Sequence, residues 1–166
     1  LAASQINESN FVTRLVEDLG MEERFRGMVR VEITEGAAIR DIEAAKGVLS
    51  RLRSEGIGVH LDDFGEGYAS LRYLREFGFD AVKLDRSFLK GVPESERACT
   101  LVRGFIELAH GLGLEVTIEG VETEEQLSFL VENNADYLQG YLIGKPLPVT
   151  AFLKGLAEAG GKPQLS

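Results

Sequence analysis

Four acidic residues and one lysine lie near the ends of short apolar segments, where their side chains could act together. They are Glu32, Asp62, Asp63, Lys83 and Glu119. Any one acid of this kind is more often a solvated loop residue or an ion-pair partner. Several carboxylates brought to one place would repel one another unless cations neutralised them. Their chemistry therefore depends on the elements that carry them.

Carboxylate oxygens are hard ligands, which select Mg²⁺, Mn²⁺ or Ca²⁺ rather than zinc. The neighbours Asp62 and Asp63 could ligate two such ions, or bridge them, at the separation of about 3.5–4 Å used in two-metal phosphodiester hydrolysis. The two histidines, His60 and His110, are isolated from the single cysteine and are poor evidence for a zinc site. The pattern predicts a centre for hard divalent cations.

Short β-branched segments alternate with amphipathic helical patterns along the whole chain. The predicted strands are 29–34, 57–62, 81–85, 114–119 and 137–143. Helical patterns lie between them, and Thr123 with Gln126 forms a capping-box pattern at the start of one. Alternating strands and helices imply a parallel sheet with helical crossovers.

Within each predicted strand, apolar residues occupy one face, and polar residues occupy the other face near the carboxyl end. A doubly wound sheet buries both faces and should be apolar nearly throughout. A barrel with a site at its carboxyl-end mouth accommodates inward polar residues. The pattern favours a barrel over a Rossmann-like sheet. Because five strands cannot close an eight-stranded barrel of about 250 residues, we expect part of the domain to precede this chain.

Composition excludes some partners. The net charge of −9 argues against a basic nucleic-acid surface, which needs clustered lysine and arginine. An acidic protein can still bind a phosphate ligand through metal cations. The single cysteine, Cys99, cannot form an internal disulfide and fits a reducing cytoplasm, although the parent protein could be tethered to a membrane.

Five ordered motifs resemble those of the EAL-domain family. Segment 62–71, DDFGEGYASL, resembles the family signature DDFGTGYSSL. Segments 32–36, 83–88 and 119–123 resemble ELTES, KIDxSF and EGVET, and segment 139–148 resembles QGYLFxxPLP. The resemblance implies a (β/α)8 TIM-like barrel of EAL type, N-terminally truncated. It divides the chain into a partial domain, 1–159, and a tail, 160–166.

The resemblance also implies a role for each acid and for the lysine. Glu32, Asp62 and Asp63 would be metal ligands. Lys83 would hold the nucleophilic water and offset charge near the phosphate. Glu119 would act as general base on that water or complete the metal shell.

Further residues would support the site. Gln139 would do so by hydrogen bonding, Glu35 and Glu122 would be outer acids that fix the loop after the Glu32 strand, and Asp85 would belong to the same supporting group. The expected cofactor is Mg²⁺ or Mn²⁺ at a two-metal site, with inhibition by Ca²⁺.

The function implied is hydrolysis of cyclic di-GMP to linear pGpG in bacterial second-messenger signalling. A homodimer is expected through the helix that carries Leu71 and Leu74. A diguanylate-cyclase (GGDEF) or sensory domain is expected elsewhere in the parent chain.

The chain departs from the family pattern in several places. The Glu-Ala-Leu motif and an asparagine ligand are absent from the sequence, Glu66 replaces the usual threonine, and Gly36 replaces the usual serine. The two replacements lie in or beside loops that couple dimerisation to the metal site in this family. The alternative function is therefore a non-catalytic cyclic di-GMP receptor or interaction module. The isolated chain is expected to be inactive.

Overall fold

Residues 3–6, 8, 10–19, 27–65 and 71–158 are described by the computed structural model. Glu66 and the tail 160–166 lie outside these residues. Within them the sheet has five strands, all parallel, in the order β1-β2-β3-β4-β5. The strands are β1 (Arg30–Thr34), β2 (Gly58–Phe64), β3 (Ala81–Leu84), β4 (Glu115–Glu119) and β5 (Tyr137–Gln139).

The strand order separates the two architectures left open by the sequence. A Rossmann-like sheet reverses its strand order at a switch point. Here every strand pairs with the next one along the chain, as in a (β/α) barrel. All five predicted strands are present, but the last is shorter than predicted. It ends at Gln139, because Gly140 packs directly against the backbone of Val121 and the chain then turns.

Helices connect the strands, and further helices precede the first strand and follow the last one along the chain. They are α1 (Ala3–Ile6), α2 (Phe11–Asp18), α3 (Glu35–Arg40), α4 (Ile42–Ser54), α5 (Leu71–Glu76), α6 (Glu96–Gly111), α7 (Glu124–Glu132) and α8 (Val149–Glu158). A 3₁₀ turn, Arg86–Leu89, follows β3. Side chains cap several of these elements, and α7 has the capping box predicted from Thr123 and Gln126.

Apolar side chains at alternate strand positions build the core together with the inner faces of α4 and α6. Fully buried side chains include Val59, Leu61, Val82, Ile118, Leu49, Leu52 and Ile106. Burial of these residues removes apolar surface from water and supplies the main stabilisation of the fold. The polar strand positions are left for the opposite face, where the predicted site lies.

Two aspartates tie neighbouring strands together at their amino ends. Asp80, just before β3, accepts a hydrogen bond from the backbone N–H of Val59 at 2.8 Å. Asp136, just before β5, does the same with Val116 at 2.8 Å and also contacts His110 Nε2 at 2.8 Å. The same aspartate-to-backbone hydrogen bond therefore occurs twice at the end of the sheet opposite the acidic residues, where it stabilises the fold.

The short helix α5 carries the residues expected to form a dimer. Leu71 is 54% exposed, whereas Leu74 is 2% exposed and packs in the core. Only Leu71 of this pair therefore offers its side chain to a partner. None of the helices within the described part of the chain has the length and apolar character needed to cross a membrane.

Candidate metal centre

Lys83 lies at the centre of the polar face, on β3, between acidic residues from the strands on both sides. Its Nζ lies 3.0 Å from Glu32 Oε1, 3.0 Å from Asp62 Oδ1 and 2.6 Å from Glu119 Oε1. These residues come from β1, β2 and β4, so the parallel strands bring together side chains that are far apart in sequence. The side chains of Glu32, Asp62 and Glu119 therefore meet at Lys83 on the polar face of the sheet.

The carboxylates around Lys83 control its protonation. Burial alone would lower the pKa of Lys83, because the charged form loses solvation. Contacts with the carboxylates of Glu119, Asp62 and Glu32 outweigh that effect and raise the pKa above its usual value. Lys83 is therefore an ammonium at neutral pH, which can donate hydrogen bonds and supply positive charge but cannot accept a proton.

Three carboxylates have the spacing that a metal ion requires. Oxygen atoms of Asp62, Asp63 and Glu119 all lie within 4.8 Å of one another. Hard cations bind oxygen at about 2.0–2.6 Å, so two oxygens on one cation are at most about 5 Å apart. The acids therefore fit a hard divalent cation. Glu32 joins the group through Lys83 and is not one of the three.

A bulge in β2 explains how two consecutive aspartates can face the same site. Successive side chains of a regular strand point to opposite faces. Between Leu61 and Phe64 the pairing with β3 is irregular, and Asp63 has a φ of 55°. Aspartate tolerates this left-handed conformation better than most residues. The alternation of the sequence places Asp62 on the inner face but does not place Asp63 there; the bulge does.

Glu35 is a buried acid at the point where β1 passes into α3. It is 6% exposed, and neither carboxylate oxygen has a hydrogen-bond partner among the residues described. Burial raises its pKa, and the backbone N–H of Gly65, which lies nearby without meeting hydrogen-bond geometry, partly offsets that shift. Glu35 thus directly follows β1 and also lies beside Gly65, in the loop after β2.

The other supporting residues occupy three different places. Gln139 is the register partner of Glu119 and lines a cavity of about 430 Å³ together with Glu32 and Lys83. Asp85 accepts a hydrogen bond from the backbone N–H of Ser87 at 2.8 Å and so caps the 3₁₀ turn. Glu122 is exposed just before α7 and is not one of the three acids of the cluster.

His60 lines the same cavity as Gln139, on the inner face of β2. Its Nε2 atom is buried and has no hydrogen-bond partner among the residues described. Burial lowers the pKa of His60, and the positive charge of Arg30 lowers it further. A neutral imidazole is therefore favoured, and the residue is partly buried rather than part of a fully packed core.

Comparisons with known proteins identify the same family as the sequence motifs. The family model described as EAL domain matches residues 1–146. The cyclic di-GMP phosphodiesterase NbdA of Pseudomonas aeruginosa is 42% identical over 149 residues, which cover 90% of this chain and 18% of that protein. The chain thus spans about a fifth of the length of this relative.

Two solved structures show the same fold. The EAL domain of Mycobacterium smegmatis DcpA is 33% identical, with a TM-score of 0.86, over 95% of this chain and 71% of that chain. Klebsiella pneumoniae BlrP1, in a complex with manganese and cyclic di-GMP, is 29% identical, with a TM-score of 0.78, over 86% of this chain and 36% of that chain. The barrel class predicted from the sequence is confirmed.

Proposed function

The chain belongs to the EAL domain family, and on this premise we propose that its protein hydrolyses cyclic di-GMP to linear pGpG in a metal-dependent reaction of bacterial signalling. The observation that carries the proposal is the convergence of Glu32, Asp62 and Glu119 on Lys83, with Asp63 beside them. The name of NbdA and the bound ligands of BlrP1 support the same chemistry.

Glu32, Asp62, Asp63 and Glu119 would hold Mg²⁺ or Mn²⁺. Their oxygens are hard donors, and three of the four acids already lie within 4.8 Å of one another. When bound, the cations supply positive charge to the phosphodiester and make water more acidic. Without cations, the excess of carboxylates would repel an anionic substrate.

Lys83 would orient the attacking water and stabilise negative charge on the phosphoryl oxygens. Its raised pKa keeps it protonated, and its Nζ is held by three carboxylates from three strands. Because the ammonium is already in position before the reaction, no free energy is spent on reorienting it as negative charge develops on the phosphate. Because Lys83 is only 7% exposed, the neighbouring backbone and side chains also limit its movement.

Glu119 would accept the proton of the water. The protonated Lys83 cannot do so, which leaves the base to a carboxylate at the mouth. Glu119 is partly buried and lies 2.6 Å from Lys83 Nζ, so a water that takes the place of one of the other two carboxylates on the ammonium would lie close to it. General-base catalysis of this kind typically contributes about 10²–10⁴-fold.

A product assay tests this function. The intact protein is incubated with cyclic di-GMP and Mg²⁺ or Mn²⁺, and the nucleotides are separated by chromatography. We expect linear pGpG, no product with EDTA, recovery when Mn²⁺ is added back in excess, and less product with Ca²⁺. Tight binding of cyclic di-GMP without any product would contradict hydrolysis and favour the receptor alternative.

A homodimer is the expected assembly, and exposed Leu71 on α5 is a residue through which it could form. Light scattering on the assayed sample measures its mass. Leu71→Ser should shift the mass towards a monomer if this helix forms the contact. An unchanged dimer would place the contact elsewhere.

A further inference from the structure

The 3₁₀ turn Arg86–Leu89 lies between the loops that follow β2 and β4, the two strands that carry the acids of the 4.8 Å cluster. It begins three residues after Lys83 and is held at its start by the side chain of Asp85. Two of its side chains each press against a glycine of a neighbouring loop. One of these loops follows Asp62 and Asp63, and the other follows Glu119.

Phe88 is the contact to the loop after β2. A Cβ atom on Gly65 would lie 2.1 Å from Phe88 Cε2, far inside any real contact distance, and Gly65 has a φ of +105°. The aromatic ring therefore lies directly on the backbone of Gly65, two residues beyond Asp63. The ring is itself backed by Phe105 of α6, with ring centroids 6.3 Å apart.

Arg86 is the contact to the loop after β4. A Cβ atom on Gly120 would lie 2.3 Å from Arg86 Cβ and 3.3 Å from Arg86 Cα, and Gly120 has a φ of +73°. Gly120 directly follows Glu119 in sequence. The main chain of the turn therefore limits how the loop after β4 can approach, and with it the position of Glu119.

We propose that the turn Arg86–Leu89 is a positioning element that sets the separation between the Asp62–Asp63 pair and Glu119, with Phe88 as its principal residue. The inference rests on the proposed metal site. Metal ligands must be held within about 0.5 Å of their productive positions by groups that are themselves fixed. β2 is bulged at Asp63, so its own ladder does not supply that support there.

Removing Phe88 should therefore weaken metal binding more than loss of core packing can explain. The loop after β2 would lose the surface on which Gly65 rests, and the two aspartates could move away from Glu119. Groups that orient metal ligands typically change metal affinity by about 10–100-fold. A purely structural residue would lower stability and leave the affinity of the folded protein unchanged.

The measurement is the dissociation constant for Mn²⁺, determined by electron paramagnetic resonance on the intact protein without nucleotide. We expect Phe88→Ala to raise it about 10–100-fold and Phe88→Leu to restore much of the affinity. Phe77→Ala is the matched control, since Phe77 is a core phenylalanine that packs on Phe79. It should lower the melting temperature and leave the dissociation constant unchanged. Unchanged affinity in Phe88→Ala, or an equal loss in Phe77→Ala, would overturn the proposal.

Phe88→Leu, which keeps apolar packing, carries the test if Phe88→Ala unfolds, and a double variant tests the contact itself. Gly65→Ala should weaken Mn²⁺ binding because its methyl group collides with Phe88. In Gly65→Ala with Phe88→Ala the collision is absent and only the strain of the φ of +105° remains, so the loss should be smaller than the product of the two single losses. Losses that simply multiply would show that the two residues act independently, which contradicts a positioning contact.

The wild-type titration separates this inference from the proposed function. If the wild-type protein binds Mn²⁺ but does not hydrolyse cyclic di-GMP, the proposed activity is contradicted and the positioning role is unaffected. If the wild-type protein hydrolyses cyclic di-GMP and the Phe88→Ala variant binds Mn²⁺ with normal affinity, the proposed activity is supported and the positioning role is contradicted. A wild-type protein that binds no Mn²⁺ would remove the metal site and the positioning role together.

Discussion

Lys83 Nζ lies 2.6 Å from Glu119 Oε1, across the neighbouring strands β3 and β4, and this is the shortest of its three contacts with carboxylates. The ammonium is outnumbered by the acids around it, so the site as a whole carries excess negative charge. Two divalent cations would reverse that excess and make the site attractive to a phosphodiester anion. The same acids thus serve the lysine and the metal.

Replacement of this lysine should separate catalysis from folding. Lys83→Ala removes the fixed positive charge near the phosphate, and turnover of cyclic di-GMP should fall by at least about 10²–10³-fold. The metal-free variant should also unfold at a lower temperature, because its three carboxylates lose their common cation. Lys90→Ala, an exposed lysine in the same segment, is the control. Near-normal turnover in Lys83→Ala would refute the assigned role.

A neutral amide at Asp62 should weaken metal binding. Asp62→Asn keeps the shape of the side chain but removes the negative charge that a hard cation requires. Calorimetric titration with Mn²⁺ should show a clear loss of affinity. Asp41→Asn, at the start of α4, replaces an exposed capping aspartate and should leave the affinity unchanged. Retained affinity in Asp62→Asn would exclude this carboxylate as a ligand.

Gly140 should tolerate no side chain. A Cβ atom there would lie 2.1 Å from the carbonyl oxygen and 2.3 Å from the nitrogen of Val121, both backbone atoms that cannot rotate away. Gly140→Ala should therefore lower the free energy of unfolding by about 1–3 kcal/mol. Gly104→Ala, in α6 with open space around it, should raise it by about 0.5–1 kcal/mol. Chemical denaturation measures both, and equal effects would contradict the close contact.

Asp136 should make stability depend on pH in the acid range. Burial would raise its pKa, but hydrogen bonds from His110 and from the backbone of Val116 lower it below its ordinary value of 3.8. A group with a lowered folded-state pKa contributes stability above the unfolded pKa, and the contribution is lost as pH falls through the folded pKa. Asp136→Asn should be about 1 kcal/mol less stable at pH 6.

The gap between wild type and Asp136→Asn should close as pH drops below about 4. Glu107→Gln, at an exposed position of α6, serves as the control and should show no comparable gap. Denaturation midpoints at several pH values provide the test. A gap that stays constant from pH 6 to pH 3 would mean that the charge of Asp136 does not stabilise the fold.

The alternation of the sequence predicted much of the architecture because a strand's faces are a local property. Glu32, Lys83 and Glu119 were placed on the inner face, and they meet there. The position of Asp63 could not be predicted from the alternation, because it depends on a bulge that appears only when β2 pairs with β3. Burial of Leu74 likewise depends on the packing of α5, which helical spacing alone does not determine.

Close approaches between loops were also beyond prediction from the sequence. Gly65 and Gly120 lie within the family motifs, but their contacts with Phe88 and Arg86 exist only after β2, β3 and β4 have assembled. The early end of β5 has the same origin, in the contact of Gly140 with Val121. The helix α3, which begins at the buried Glu35, was not predicted because it follows β1 without an intervening loop.

An anomalous difference map from crystals of the intact protein grown with Mn²⁺ would show directly whether the acidic cluster holds a metal ion. We expect at least one manganese peak within about 2.0–2.6 Å of carboxylate oxygens from Asp62, Asp63 and Glu119, with Lys83 still beside the cluster. Saturating Mn²⁺ with no peak at these three residues, or with peaks bound only elsewhere on the molecule, would contradict the proposed metal site.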